Sequence, residues 1–413
     1  MTAPTVLDSR YSWGRLGITL AIGSVSSVGI WAFIAILPAA QAEFGLGRGG
    51  ASVPYAVSML GFALGNLLVG RMVDRLGVVP SLIGAACLLS AGFALSTLAP
   101  SLAVFILLHF AIGFGSAAGF GPLMADVSHW FMRRRGIAVT VAASGNYIAG
   151  ALWPWALSGL LAEEGWRAFY LALALIVLVV VIPLALLLRR RAPEEAMAAA
   201  GAKAAANSMS AGLSPRSLQL LLCLAGLGCC MAMAMPQVHI VAYCVDLGFG
   251  PAVGAEMLSL MLMGGVVSRI ASGVLADAIG GVRMLIVGSA LQCLALLLYI
   301  PFDGLASLYV VSLVFGLSQG GLVPAYAIIV REYLPPAEAG ARVGVVIMST
   351  IIGMALGGWV SGWIYDLTGS YTLAFLNGVA WNLVNLAVAF ALILRSRPKG
   401  PRAPALDALP TRA

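Results

Sequence analysis

The chain has 413 residues, of which 61% are hydrophobic and 9% charged, and its mean hydropathy is +1.00. Soluble domains carry about 25% charged residues, so 9% excludes an ordinary soluble enzyme, a nucleic-acid-binding protein and a disordered chain. The 23 Lys+Arg against 16 Asp+Glu fit the basic cytoplasmic loops of a membrane protein better than a polyanion-binding surface.

Twelve apolar runs follow in chain order, near 16–40, 52–70, 79–98, 102–125, 137–161, 167–188, 218–243, 252–276, 283–301, 305–330, 343–364 and 371–394. Lipid offers no water to backbone groups, so such runs must be helices or a closed barrel. They are too long and too evenly apolar for barrel strands. The predicted fold class is therefore an all-α integral membrane protein of twelve transmembrane helices. The first run is too long for the apolar region of a cleaved signal. The stretch 189–217, polar, Ala-rich and punctuated by proline, divides the chain into a six-helix bundle over 1–188 and a second over 218–413 that ends in a short tail.

Charges set the expected orientation. With both termini cytoplasmic, 20 of the 23 basic residues fall in inner loops and tails, and Arg48 and Arg167 fall outside. This is the positive-inside pattern, and it predicts a multi-pass protein of the cell inner (plasma) membrane. Arg269 is the one basic residue left within a span.

The halves echo each other. Gly70-x-x-x-Asp74-x-x-Gly77 after the second span recurs 203 residues later as Gly273-x-x-x-Asp277-x-x-Gly280 after the eighth. Gly119-x-x-Pro122 in the fourth span recurs 202 residues later as Gly321-x-x-Pro324 in the tenth. Two matches at nearly one offset argue for an internal duplication and two pseudo-symmetric six-helix bundles. Duplicated bundles are typical of transporters that bind substrate near the midplane.

Gly70-Arg71-Met72-Val73-Asp74-Arg75-Leu76-Gly77 resembles the signature of the major facilitator superfamily between its second and third helices. Val78 and Val79 stand where the family often has basic residues, and the second copy has Ala278 in place of Arg. Within that superfamily the chain resembles the monocarboxylate transporter and oxalate/formate antiporter branch. The likeness rests on Trp130 to Gly136, Ser144-Gly145-Asn146-Tyr147, Gly165-Trp166-Arg167-Ala168-Phe169, Pro236-Gln237-Val238-His239, Asp246 and Arg269-x-x-x-Gly273. The resemblance implies that Arg269 binds the substrate carboxylate. Gly265 stands where mammalian members carry an Asp, and 343–364 lacks the second cation of the oxalate exchanger, so a monoanion fits better than a dianion.

An arginine inside a span costs on the order of 3 kcal/mol or more, stays charged, and matches a carboxylate with its planar fork. The bland alternative for Arg269 is a structural pairing with Asp277 or Asp126. His239, beside a helix-loosening Pro236, is a substrate-binding candidate with a packing alternative. The resemblance implies that Asp246 pairs with Arg269 and carries the coupled proton, with a solvated loop acid as the alternative. His109 stands where many superfamily members have an Arg implicated in proton movement, and helix packing competes with that role. Phe120, Asn146 and Tyr326 are cavity candidates by position. Gly70, Asp74, Arg75, Gly77, Gly273 and Asp277 form the expected gating motif. Glycines four apart, such as Gly353 and Gly357, point to close helix packing.

No phosphate-cradling loop of the G-x-x-x-x-G-K-[ST] type is present, and no metal-ligand spacing. Six cysteines read as free buried thiols. No enzyme chemistry, cofactor or metal is expected. The predicted function is secondary transport of a small, lactate-like monocarboxylate with a proton by alternating access. A carboxylate exchanger and a transporter-like sensor are the alternatives. The expected partners are the carboxylate, the proton and the bilayer, with no nucleic acid and a monomer as the working unit.

Overall fold

The computed structural model describes residues 7–131, 135–190, 214–333 and 339–395. Every regular element among them is helical: α1 (Arg10–Ser26), α2 (Ala32–Phe44), α3 (Arg48–Ala51), α4 (Val53–Leu76), α5 (Val78–Ser96), α6 (Leu102–Ser116), α7 (Gly121–Ser128), α8 (Arg135–Ala156), α9 (Ser158–Leu187), α10 (Pro215–Asp246), α11 (Pro251–Ile279), α12 (Gly281–Leu298), α13 (Leu305–Gln319), α14 (Leu322–Tyr333), α15 (Ala339–Thr368) and α16 (Thr372–Arg395). They make twelve spans in two six-helix bundles, α1 to α9 and α10 to α16.

Eleven spans are long and apolar enough to cross a membrane by composition alone. The remaining one, α8, carries Ser144, Gly145, Asn146 and Tyr147 in its middle. The run that is polar for a span proves to be the one against Arg269, described below. Lipid-facing positions are apolar and open, as with Leu175, Val179 and Val310. That is the expected surface where the solvent is hydrocarbon.

The duplicated motifs mark equivalent breaks in the two bundles. Gly77 and Gly280 end α4 and α11 at φ 92 and φ 85 with ψ near 160. This region is essentially closed to side-chain-bearing residues, so the last glycine of each copy is required by the turn. The Gly-x-x-Pro copies fall where the fourth and tenth spans break, between α6 and α7 and between α13 and α14. Gly165 similarly kinks α9 at φ 82. The turn lets Trp166 Nε1 donate to Glu43 at 2.7 Å and Arg167 pair with the same carboxylate at 2.6 Å.

The spaced glycines are ledges between helices. A side chain at Gly316 or Gly320 would strike the Met261 or Gly265 carbonyl, and one at Gly353 would reach the Leu227 carbonyl at 2.5 Å. On the opposite ledge of α15, Gly358 and Gly362 abut Tyr55 and Arg48 of the first bundle.

Candidate substrate site

The bundles meet along an antiparallel seam between α8 and α11. Ser259 Oγ donates to the Ala151 carbonyl at 2.6 Å. Further along, Gly150 lies against Leu262, Gly265 against Tyr147, and Gly273 against Thr140. Arg269 occupies this seam and is 3% exposed. Its Nη1 donates to the Ala143 carbonyl of α8 at 2.7 Å, and its Nε to the Gly320 carbonyl between α13 and α14 at 3.1 Å. The guanidinium stacks on the Tyr147 ring, 4.0 Å from its centroid. It therefore touches both bundles at once.

Two carbonyls and a ring face take up two of five N–H donors but supply no opposite charge. Among the described residues no carboxylate is paired with Arg269. Asp126 is engaged elsewhere, accepting from Nε and Nη2 of Arg15 at 3.0 and 2.8 Å.

Two charges differ from the loop assignments. Arg15 lies within α1 and is 2% exposed, and Arg48 opens α3 and is 5% exposed. Among the described residues three arginines are thus buried, and Arg269 is distinguished from the other two by having no carboxylate partner there. Arg15 also donates to the Leu188 and Arg190 carbonyls and stacks on Trp130, which fastens the end of the first bundle where the chain begins.

Asp246 does not pair with Arg269. It accepts from Arg48 Nη2 at 2.5 Å across the two bundles, at the end of the molecule away from the termini. There Asp366 accepts from the backbone N–H groups of Arg48 and Gly49 at 2.6 and 2.7 Å. Tyr365 lies under the Arg48 guanidinium at 5.5 Å. The distance along α10 and α11 explains the difference: Asp246 ends one helix at the far face, while Arg269 lies past the middle of the next.

His109 and His239 are fully buried inside their own bundles. His109 bonds the Phe105 carbonyl at 2.8 Å and the Tyr170 hydroxyl at 2.9 Å, within a cage of Phe33, Phe105 and Tyr170 rings. His239 Nε2 faces the Gly358 carbonyl at 2.8 Å, which requires the proton on that nitrogen, and Nδ1 lies 3.3 Å from the Tyr371 hydroxyl. Asn146 accepts from Trp31 Nε1 at 3.1 Å and so links the fifth span to the first. The Tyr326 hydroxyl donates to Asn385 at 2.8 Å within the second bundle. Phe120 packs on Phe62 with ring centroids 5.8 Å apart. The structure brings none of these onto Arg269.

Of the gating motif, Gly77 and Gly273 are at the turn and seam already described, Gly70 has open space around it, and Arg75 is exposed. The side chains of Asp74 and Asp277 lie outside the described residues, as do Arg133, Arg134 and most of the stretch between bundles. Tyr147, Gln237 and Arg48 were visible in the sequence, but nothing in their spacing singles them out from packing or loop residues.

The sequence matches the Major Facilitator Superfamily over residues 19–305 and 220–412. The chain belongs to this superfamily. Monocarboxylate transporter 13 of Rattus norvegicus is 28% identical over 376 residues, spanning 90% of this chain and 86% of that protein. Monocarboxylate transporter 11 of Homo sapiens is 30% identical over 344 residues, spanning 79% of this chain and 69% of that protein. A solved bacterial homologue of the human lysosomal transporter Spinster, inward-facing and occupied, superposes with a TM-score of 0.67 at 14% identity. It covers 94% of this chain and 97% of its own, which supports the shared fold. The protein is a membrane transporter resembling the monocarboxylate transporters, and its relatives are not enzymes.

Proposed function

We propose that this transporter moves small monocarboxylates together with a proton, with Arg269 holding the carboxylate. The observation that carries the reading is a guanidinium buried on the seam between bundles with no carboxylate paired to it among the described residues. An uncompensated charge in a dry setting is costly, and a planar carboxylate is its natural complement. A single fixed cation suits a monoanion. The names of the relatives support the same substrate class.

Asp246 is the proton acceptor in this reading. Its ion pair with Arg48 joins the bundles at the far end, so a proton on Asp246 removes a charge from the closure. Uptake of the proton and opening of that end are thereby one event, and rocking of the bundles exposes Arg269 alternately. His239, whose ring is already engaged at both nitrogens, positions α10 against α15. The termini face the cytoplasm, the side that gathers the loop arginines, and one copy suffices.

The test is uptake by the purified chain in proteoliposomes over a panel of carboxylates, with and without an imposed pH gradient. Acidification of the uptake side is expected to accelerate entry, and Arg269→Ala to abolish it. Uptake by Arg269→Ala equal to the parent overturns the anion site. Acceleration by a carboxylate on the opposite side, with no response to pH, identifies an exchanger instead.

A further inference from the structure

We infer that Gln237 and Gln319 form a second recognition element beside Arg269, one that selects monocarboxylates carrying a hydroxyl group near the carboxylate. The inference rests on the carboxylate reading of Arg269. Both glutamines are fully buried. Gln237 Nε2 donates to Gln319 Oε1, which joins α10 to the end of α13. The other two polar atoms of the pair, Gln237 Oε1 and Gln319 Nε2, are buried without a hydrogen-bonding group. A single bond between two amides leaves the carbonyl oxygen of the donor amide and the NH2 group of the acceptor amide without a partner. In a membrane interior no bulk water is at hand to satisfy them.

Their placement ties them to the anion site. Gln319 directly precedes Gly320, whose carbonyl accepts from Arg269 Nε at 3.1 Å. Gln237 lies one helical turn from Met233, on the same face, and Met233 Sδ accepts from the Tyr147 hydroxyl at 3.9 Å. Tyr147 is the ring on which the Arg269 guanidinium stacks. Arg269, Tyr147, Met233, Gln237, Gln319 and Gly320 therefore close a circuit of contacts drawn from α8, α10, α11 and the α13–α14 break. The residues of this circuit carry one cation lacking an anion, one unpaired amide oxygen and one unpaired amide nitrogen.

A hydroxyl is both donor and acceptor and satisfies the two amide atoms together. A keto oxygen satisfies only the Gln319 donor, and a methylene satisfies neither. Sites built to hydrogen-bond a substrate hydroxyl reject the analogue that lacks it, because their buried polar groups stay unpaired. Apolar pockets discriminate far less.

The experiment compares three-carbon acids in proteoliposomes of the full chain: lactate, pyruvate and propionate. The parent is expected to take up lactate about tenfold or more better than propionate, with pyruvate between them. The double variant Gln237→Leu/Gln319→Leu removes both partners at once, which is tolerated far better than orphaning one. It is expected to keep propionate uptake and lose the preference for lactate. As a measurement free of any variant, lactate is expected to raise the thermal midpoint of the detergent-solubilised parent more than equimolar propionate. Equal uptake and equal stabilisation by lactate and propionate overturn the inference and leave the carboxylate reading standing. A preference that survives in a folded double variant also overturns it. A parent that moves none of the three acids overturns both.

Discussion

At the scale of single residues, the three buried arginines separate by what neutralises them. Arg15 has a two-pronged carboxylate, two carbonyls and a ring. Arg48 has Asp246. Arg269 has only dipoles and a ring. Arg269→Lys keeps the charge but loses the fork, so uptake is expected to fall at least about tenfold, and further for Arg269→Ala. Initial rates at matched reconstitution levels check this. Asp126→Asn leaves the buried Arg15 without its carboxylate, and is expected to lower the thermal midpoint of the detergent-solubilised protein.

At the scale of elements, glycine position decides everything about a glycine's importance. Gly280 ends α11 at φ 85, where a Cβ is strained by about 1–3 kcal/mol. Gly70 is mid-helix with nothing within 4 Å of an added Cβ. Gly280→Ala is thus expected to lower the thermal midpoint, and Gly70→Ala to hold or raise it, since helical glycine costs about 0.5–1 kcal/mol relative to alanine. Both belong to the same duplicated motif. The motif was legible in the sequence as a repeat, and the different demands on its two glycines were not, because backbone dihedrals depend on where each helix stops. The twelve spans were equally legible as apolar runs, although α8, polar at its middle, falls short by apolar length alone. The breaks in the fourth and tenth spans coincide with the Gly-x-x-Pro copies, although the repeat by itself does not say that the helix is interrupted.

At the scale of the whole molecule, polar ties at the far end run from one bundle to the other: Arg48 to Asp246, and the Arg48 and Gly49 backbone to Asp366. Beside them a crevice of about 340 Å³ is lined by Pro38, Gln41, Arg48 and Val245 among others. Loosening either tie is expected to shift the bundles toward opening there. A cysteine placed at Gln41, with exposed Cys87 replaced by serine, should react faster with a membrane-impermeant maleimide in Arg48→Ala or Asp246→Asn. The exchange Arg48→Asp with Asp246→Arg should restore slow labelling. Unchanged labelling in both single variants removes the ion pair as a closure.

The sequence by itself determined the solvent, the number of spans, the duplication and the place of Arg269 within a span. Each of these follows from local quantities: how many apolar residues run together, and where a charge interrupts them. Tertiary structure alone decided which charges neutralise which. Asp246 and Arg48 are 198 positions apart and Arg15 and Asp126 are 111 apart, and pairing over such separations is fixed by how the bundles dock. The same holds for the Gln237 and Gln319 pair, whose unpaired atoms arise only when two helices from different parts of the chain are brought together in a setting without water.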